Sequence, residues 1–139
     1  MKATVRYSFV KVADKEAIIS LYKAAGWWHE EQAERDTLPL LVRNSFCFMV
    51  AKDASGNIIG MGRAISDGVS DAYIQDVFVK ESCRKQGIGR QIILRIKGYC
   101  LRKGLTWIGL IAQPGTSEFY KKLGFAVMDD YTPMLFIPH

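Results

Sequence analysis

The segment Arg84-Lys85-Gln86-Gly87-Ile88-Gly89-Arg90 sets the architecture around it. An apolar run with the composition of a strand, Ile74-Gln75-Asp76-Val77-Phe78-Val79, precedes it, and a periodic stretch that reads as helix begins at Ile88. Two glycines one residue apart let the chain turn tightly and bring its backbone close to a ligand. The start of a helix leaves N–H groups unpaired and carries a partial positive charge. Arg84, Lys85 and Arg90 add full charges around that start. The combination is a cradle for an anion, and phosphate is the natural one. With the strand expected after the helix, the middle of the chain reads as one β-α-β crossover, with helices packed on a sheet.

The flanking sequence fits such a sheet. Alternation predicts a strand over residues 4–10. Asp14 is placed to cap a helix running to about residue 25, with Ile18, Ile19, Leu21 and Tyr22 on its apolar side. Gly26-Trp27-Trp28 ends it, and a second helix is expected over 31–42, with Pro39 blurring its limits. Residues 46–52 and 58–65 read as strands joined by the hairpin turn Asp53-Ala54-Ser55-Gly56-Asn57. A second turn, over 66–71, leads into the strand 72–79. The long helix 88–103 carries an apolar face of Ile88, Ile92, Leu94, Ile96, Tyr99 and Cys100, and Gly104 closes it. A buried strand is expected over 105–112 and a short helix from Thr116 or Ser117 to Leu123, ended by Gly124. Strands over 125–128 and 134–137 complete the order β-α-α-β-β-β-α-β-α-β-β. This is an α/β chain of the α+β type, with a mixed, largely antiparallel central sheet and flanking helices, in a single domain over 1–139.

Composition narrows the function classes. Of 139 residues, 49% are hydrophobic and 24% charged, which is ordinary for a globular protein. The net charge of +5 suits a polyanionic ligand, but no basic run interleaved with aromatics points to nucleic acid. Cys47, Cys83 and Cys100 are odd in number and widely spaced, with only His29 and His139 to assist them. They read as reduced thiols, and no metal site is expected. The first twelve residues lack the apolar region of a secretory signal. Pro39, Arg43 and Asn44 interrupt the longest apolar stretch, 38–51, so no membrane span is expected and the cytoplasm is the expected location.

The glycine turn and the element order together resemble the GNAT superfamily of acetyl-CoA-dependent N-acetyltransferases. That family's turn reads Gln or Arg, two residues, Gly, one residue, then Gly or Ala, which Arg84, Gly87 and Gly89 fit. An apolar residue, any residue and Val precede it, here Val77-Phe78-Val79. The family's second signature, an aromatic-Tyr pair followed by Gly-Phe, is met by Phe119-Tyr120-Lys121-Lys122-Leu123-Gly124-Phe125. The firm resemblance covers residues 72–125, with a looser likeness over the whole chain.

What the resemblance implies is specific. Acetyl-CoA is the co-substrate, and no metal takes part. Its phosphates suit the backbone amides from Lys85 through Gln86, Gly87, Ile88 and Gly89 to Arg90, with Arg84 adding charge at the rim. Its amide-bearing pantetheine arm lies as a pseudo-strand along Val77, Phe78 and Val79, provided that strand 74–79 splays from strand 105–112. Gln113 stands where the family often has an Asn that contacts the cofactor. The Val77 N–H polarises the thioester carbonyl. Tyr120, a phenol protonated at neutral pH, is the general acid for the departing thiolate. The first two helices cover the acceptor site, so Trp27 and Trp28, with Tyr73 and Gln75 on the strand, are the candidate acceptor-binding residues. The acceptor is a primary amine, most simply on a small molecule, and family members are often homodimers.

Several points stay open at the level of sequence. Tyr73 and Gln75 are poor general bases, and strand alternation puts Asp76 on the opposite face unless a bulge turns it. His29, Glu30, Glu31 and a water chain are alternatives. Trp27 and Trp28 either line the acceptor pocket or simply pack. Asp67 and Asp71 either attract an amine or hold their turn. A dinucleotide-binding crossover wants a third glycine, where this chain has Ile92. A non-catalytic acyl-CoA-binding module and a nucleotide- or nucleic-acid-binding protein are the rival readings.

Overall fold

The computed structural model describes residues 4–138. The chain runs β1 (Arg6–Phe9), α1 (Lys15–Ala25), α2 (Gln32–Asn44), β2 (Cys47–Lys52), β3 (Ile58–Ser66), β4 (Ala72–Val79), a 3₁₀ turn (Glu81–Cys83), α3 (Ile88–Arg102), β5 (Ile108–Gly109) and α4 (Ser117–Lys121). It forms two compact units, the first ending at Gly109 and the second beginning at Leu110.

In the first unit the strands lie in the order β1-β2-β3-β4-β5. All neighbours are antiparallel except β4 and β5, which are parallel. The mixed, largely antiparallel sheet with flanking helices is the fold class expected from sequence. Local chemistry starts and stops its elements. Asp14 caps α1 by accepting from the Ala17 N–H at 2.9 Å, and Gly26, at φ +81°, ends it. Asp53 organises the hairpin turn by accepting from the N–H groups of Ser55 and Asn57, both at 2.9 Å. Asp67 does the same for the next turn through Val69 and Ser70, both at 2.8 Å.

The helices α1 and α2 cover one face of the sheet. Ile18, Leu21, Tyr22, Leu38 and Val42 pack there with Phe48, Val50 and Met61. The opposite face carries α3, and it can come close because of two glycines. A Cβ on Gly60 would stand 3.1 Å from Ile92, and one on Gly62 only 2.8 Å. Ile92, Ile93 and Ile96 are fully buried, each contributing about 1.5–3 kcal/mol relative to exposure. Packing along the body of α3 therefore fixes the helix and leaves its start available for other contacts. Cys47 and Cys100 are buried and free.

The structure departs from the sequence reading in detail. Helix α2 continues through Pro39 to Asn44. Ile93, rather than Leu94, belongs to the buried face of α3. The strand expected over 105–112 shrinks to Ile108–Gly109, paired only at Ala72↔Ile108 and Tyr73↔Gly109. In the second unit α4 is present, but residues 125–128 and 134–137 form no strand. Met134, Leu135, Phe136 and Ile137 are 73–89% exposed, so no ladder partner covers them. A short apolar run becomes a strand only when a partner satisfies its backbone.

Candidate active site

Strand β4 is regular up to Gln75, opposite Arg63, and again from Phe78, opposite Met61. Between these pairs Asp76 and Val77 stand opposite Gly62 alone, which makes a β-bulge. Asp76 sits at φ +57°, a left-handed conformation that Asp tolerates better than most residues. The bulge turns Asp76 onto the α1 face, contrary to simple alternation. There its Oδ2 accepts from Arg63 Nε at 2.7 Å and from the Tyr22 hydroxyl at 2.8 Å. The Arg63 and Asp76 side chains are only 15% and 22% exposed, so these charge-assisted bonds act away from bulk water. Burial, then the adjacent carboxylate, pushes the Tyr22 phenol far up, which keeps it a donor. Gln75 lies on the same face and is exposed.

The other edge of β4 is open. Ala72 N–H donates to the Trp107 carbonyl at 2.9 Å, toward β5, and pairing stops one residue later. At the far end Lys80 N–H donates to the Ile59 carbonyl at 2.9 Å, toward β3. Alternating back from Lys80, the N–H groups of Val79 and Val77 face away from β3. Among the described residues no strand pairs with that edge beyond Tyr73.

The glycine turn continues from the open edge. Lys85 has φ +64° and Gly87, the N-cap of α3, has φ +80°. A Cβ at Gly87 would meet nothing within 4 Å, so backbone conformation rather than space calls for glycine there. No side chain caps α3 and no acidic residue lies in its first turn. Lys85, Gln86 and Arg90 are exposed beside it. Arg84 is already engaged: its Nε donates to the Val79 carbonyl at 3.1 Å and its guanidinium lies 5.3 Å over the Phe78 ring. An extended, amide-bearing arm that ends in phosphates fits this arrangement, with the arm along the edge and the phosphates at the helix start.

The segment after α1 meets the same strand from above. Trp27 makes edge contacts with Tyr22 at 6.2 Å and Phe78 at 6.1 Å. Trp28 lies 6.4 Å from Tyr22, and its Nε1 donates to Glu30 at 3.0 Å. Both tryptophans are half-buried, so each packs while keeping an exposed part. Glu30 bridges Lys23 and Arg35, both at 2.9 Å, and their hydrogen bonds hold its carboxyl down to about 2. That makes it a poor proton acceptor. His29 is exposed. Tyr73 is 45% exposed and packs on Trp107 at 5.2 Å. Backbone N–H groups of Ser70, then Val69, hold Asp67 below the usual carboxylate range, which is the turn-holding role.

In the second unit Gln113 is exposed, and its carbonyl accepts from Thr116 Oγ1 at 2.7 Å just before α4. Tyr120 sits between Phe119 at 5.0 Å and Phe125 at 6.0 Å, and burial raises its phenol. A raised phenol remains protonated at neutral pH, which is the state a proton donor needs.

Sequence reasoning missed Arg63 and Tyr22. They lie 13 and 54 positions from Asp76, and only the fold brings them together. A signal was present: Arg63 is the single charge in β3 and Asp76 the single charge in β4, with opposite signs.

Comparisons with known proteins identify the family and the fold. A family model described as an acetyltransferase (GNAT) domain matches residues 44–127. Serotonin N-acetyltransferase 2, chloroplastic, of Oryza sativa subsp. japonica is 38% identical over 80 residues, which is 58% of this chain and 40% of that protein. An uncharacterized N-acetyltransferase, ycf52, of Gracilaria tenuistipitata var. liui is 28% identical over 126 residues, covering 88% of this chain and 66% of its own length. The chain thus spans about two fifths of the rice relative. Among solved structures, a GNAT family acetyltransferase from Streptococcus pneumoniae superposes with TM-score 0.81 at 24% identity, covering 97% of this chain and 98% of its own. AAC(6')-Iy, solved with the bisubstrate analog CoA-S-monomethyl-acetylneamine, gives TM-score 0.76 at 16% identity over 99% of both chains. With a family model matched over more than half its length and a fold shared end to end, this chain belongs to the GNAT acetyltransferase family.

Proposed function

We propose that the chain is an N-acetyltransferase that moves the acetyl group of acetyl-CoA to a primary amine by direct attack in a ternary complex. The observation that carries this is the continuous surface from the open edge of β4 to the uncapped start of α3. Acetyl-CoA supplies an activated acyl group on sulfur. Backbone N–H groups from Lys85 to Arg90 take its phosphates, and the β4 edge aligns its amide arm. Gln113 is a further contact for the same molecule. The amine nitrogen bonds to the thioester carbon, the carbon–sulfur bond breaks, and the amine loses a proton to solvent. Val77 N–H faces the oxygen that gains negative charge. Tyr120 gives its phenolic proton to the departing sulfur and recovers one from water.

The acceptor lies on the α1 side, beside Trp27, Trp28, Tyr73 and Gln75. The rice relative is named for serotonin, so a small aromatic amine is the first acceptor to try. A cytoplasmic location and a homodimer belong to the same proposal. A non-catalytic acyl-CoA-binding module would share the cofactor surface and differ only in turnover.

Calorimetric titration with acetyl-CoA, ATP and a short DNA duplex tests the ligand. Free-thiol release across an amine panel led by serotonin tests the reaction. Binding of acetyl-CoA alone, with thiol release that depends on an amine, is the expected result. Absence of acetyl-CoA binding overturns the reading, and binding without transfer to any amine favours the module. Tyr120→Phe should lower turnover about 100-fold with CoA affinity unchanged; full turnover in that variant removes Tyr120 from its role.

A further inference from the structure

The bulge in β4 is held from both faces of the sheet. On the α3 face a Cβ added to Gly62 would lie 2.8 Å from Ile92 and 3.2 Å from Val77, so Val77 rests closely over a position with little room for a side chain. On the α1 face Asp76 is fixed by two donors on one oxygen, Arg63 Nε at 2.7 Å and the Tyr22 hydroxyl at 2.8 Å. Tyr22 belongs to the core cluster of α1 and is only 6% exposed, so that donor is anchored in the body of the protein. Arg63 is steadied in turn by Ser45, 3.5 Å from its Nη1.

Asp76 and Val77 are adjacent in a bulge, so the peptide between them cannot rotate without moving both. That peptide contains the Val77 N–H. A left-handed residue without a Gly backbone is strained, and such a conformation persists where surrounding contacts over-determine it. The contacts that do so here are the two hydrogen bonds to Asp76.

We infer that Arg63 and Tyr22 are positioning residues that act through Asp76 to aim the Val77 N–H at the thioester oxygen. Neither touches the reacting atoms. Asp76 in this arrangement is an anchor whose Oδ2 is already shared by two donors. The inference rests on the role proposed for Val77.

The test needs no acceptor amine. The full chain is loaded with acetyl-CoA carrying carbon-13 at the thioester carbonyl, and the carbonyl band is read by isotope-edited infrared difference spectroscopy. A donor aimed at the oxygen polarises the carbonyl and moves the band to lower frequency than in free acetyl-CoA. The wild-type chain is expected to show that displacement. Tyr22→Phe, Arg63→Met and Asp76→Gly are expected to lose most of it. Glycine at 76 adds no backbone strain of its own, and without the two hydrogen bonds it leaves the peptide before Val77 free to rotate. Affinity for CoA, which has no acyl carbonyl, should stay within about twofold of wild type in all three, because the donor acts only on the acyl group. A merely structural role would lower thermal stability without separating these two readouts.

The failures are distinguishable. If wild type binds acetyl-CoA with no band displacement, the role of Val77 falls and the positioning inference falls with it. If wild type shows the displacement and Tyr22→Phe and Asp76→Gly keep all of it, the positioning inference alone is overturned. Should Arg63→Met fail to fold, because a carboxylate loses its buried partner, Tyr22→Phe carries the decision, since it removes a single hydroxyl.

Discussion

Two of the helices that pack on the sheet, α1 and α3, begin in opposite ways. Helix α1 is closed by its own chain: Asp14 caps it, Glu16 lies in its first turn, and Lys23 near its end pairs with Glu30. Helix α3 begins at a left-handed glycine with no side-chain cap and no acid in its first turn. Both helices bury apolar faces of similar kind, so packing does not explain the difference. A helix start with unpaired N–H groups is a cost when nothing binds there and an asset when an anion does. On the proposed reading, α1 holds the fold and the start of α3 is kept for a ligand.

Four measurements would sharpen or break that contrast. The largest effect is expected at the start of α3. Gly87→Val forces a β-branched residue into φ +80° and should weaken CoA binding about 100-fold, close to 2.7 kcal/mol by calorimetry. Affinity near wild type would mean that the phosphates bind elsewhere. Next, Arg90→Glu puts an acid in the turn that lacks one. It should cost about tenfold in CoA affinity and flatten the dependence of affinity on salt. An unchanged salt dependence would argue against charge steering at this helix.

At α1 the expectation reverses. Asp14→Ala should lower stability by about 1 kcal/mol, read as a drop of roughly 3 °C in Tm, and leave CoA affinity alone. A matching loss of CoA affinity would undo the separation of roles. The smallest effect concerns Glu30, whose carboxyl ionises at about 2 in the folded chain against an ordinary 4.5. A depressed carboxylate contributes stability that is complete above its unfolded value and fades as pH falls toward the folded one. The Tm difference between wild type and Glu30→Gln should therefore be small at pH 6 and vanish between pH 4.5 and 2. A difference that persists at pH 2 would point to another origin. The group is solvent-exposed, so the effect stays slight.

Much of the helix contrast was legible in the sequence. Asp14 ahead of an apolar period and glycines ahead of Ile88 are local signals, and the structure confirms both helix starts within one residue. Strand β4 runs over the expected 72–79 because a polar turn and a glycine turn bound it on either side. Its bulge was not legible, because nothing in Gln75-Asp76-Val77 marks a left-handed residue when that residue is not glycine. The partners of Asp76 were hidden for a different reason: sequence separation says little about which side chains a sheet and a crossing helix bring together. The ends of β5 and the absent strands at 125–128 and 134–137 depend on pairing, which a run of apolar residues cannot report. Pro133 and Pro138 bracket the last of these runs and remove donors at both ends.

The unpaired half of β4 also has a consequence for how long the protein survives. A ligand that completes a ladder binds the folded chain and not the unfolded one, and so draws the folding equilibrium toward itself by mass action. With acetyl-CoA as that ligand, a concentration 100 times its Kd would add about 2.7 kcal/mol, against the 5–15 kcal/mol typical of a whole domain. The coenzyme would then act as a chaperone as well as a substrate, and a cell short of acetyl groups would hold less of the protein.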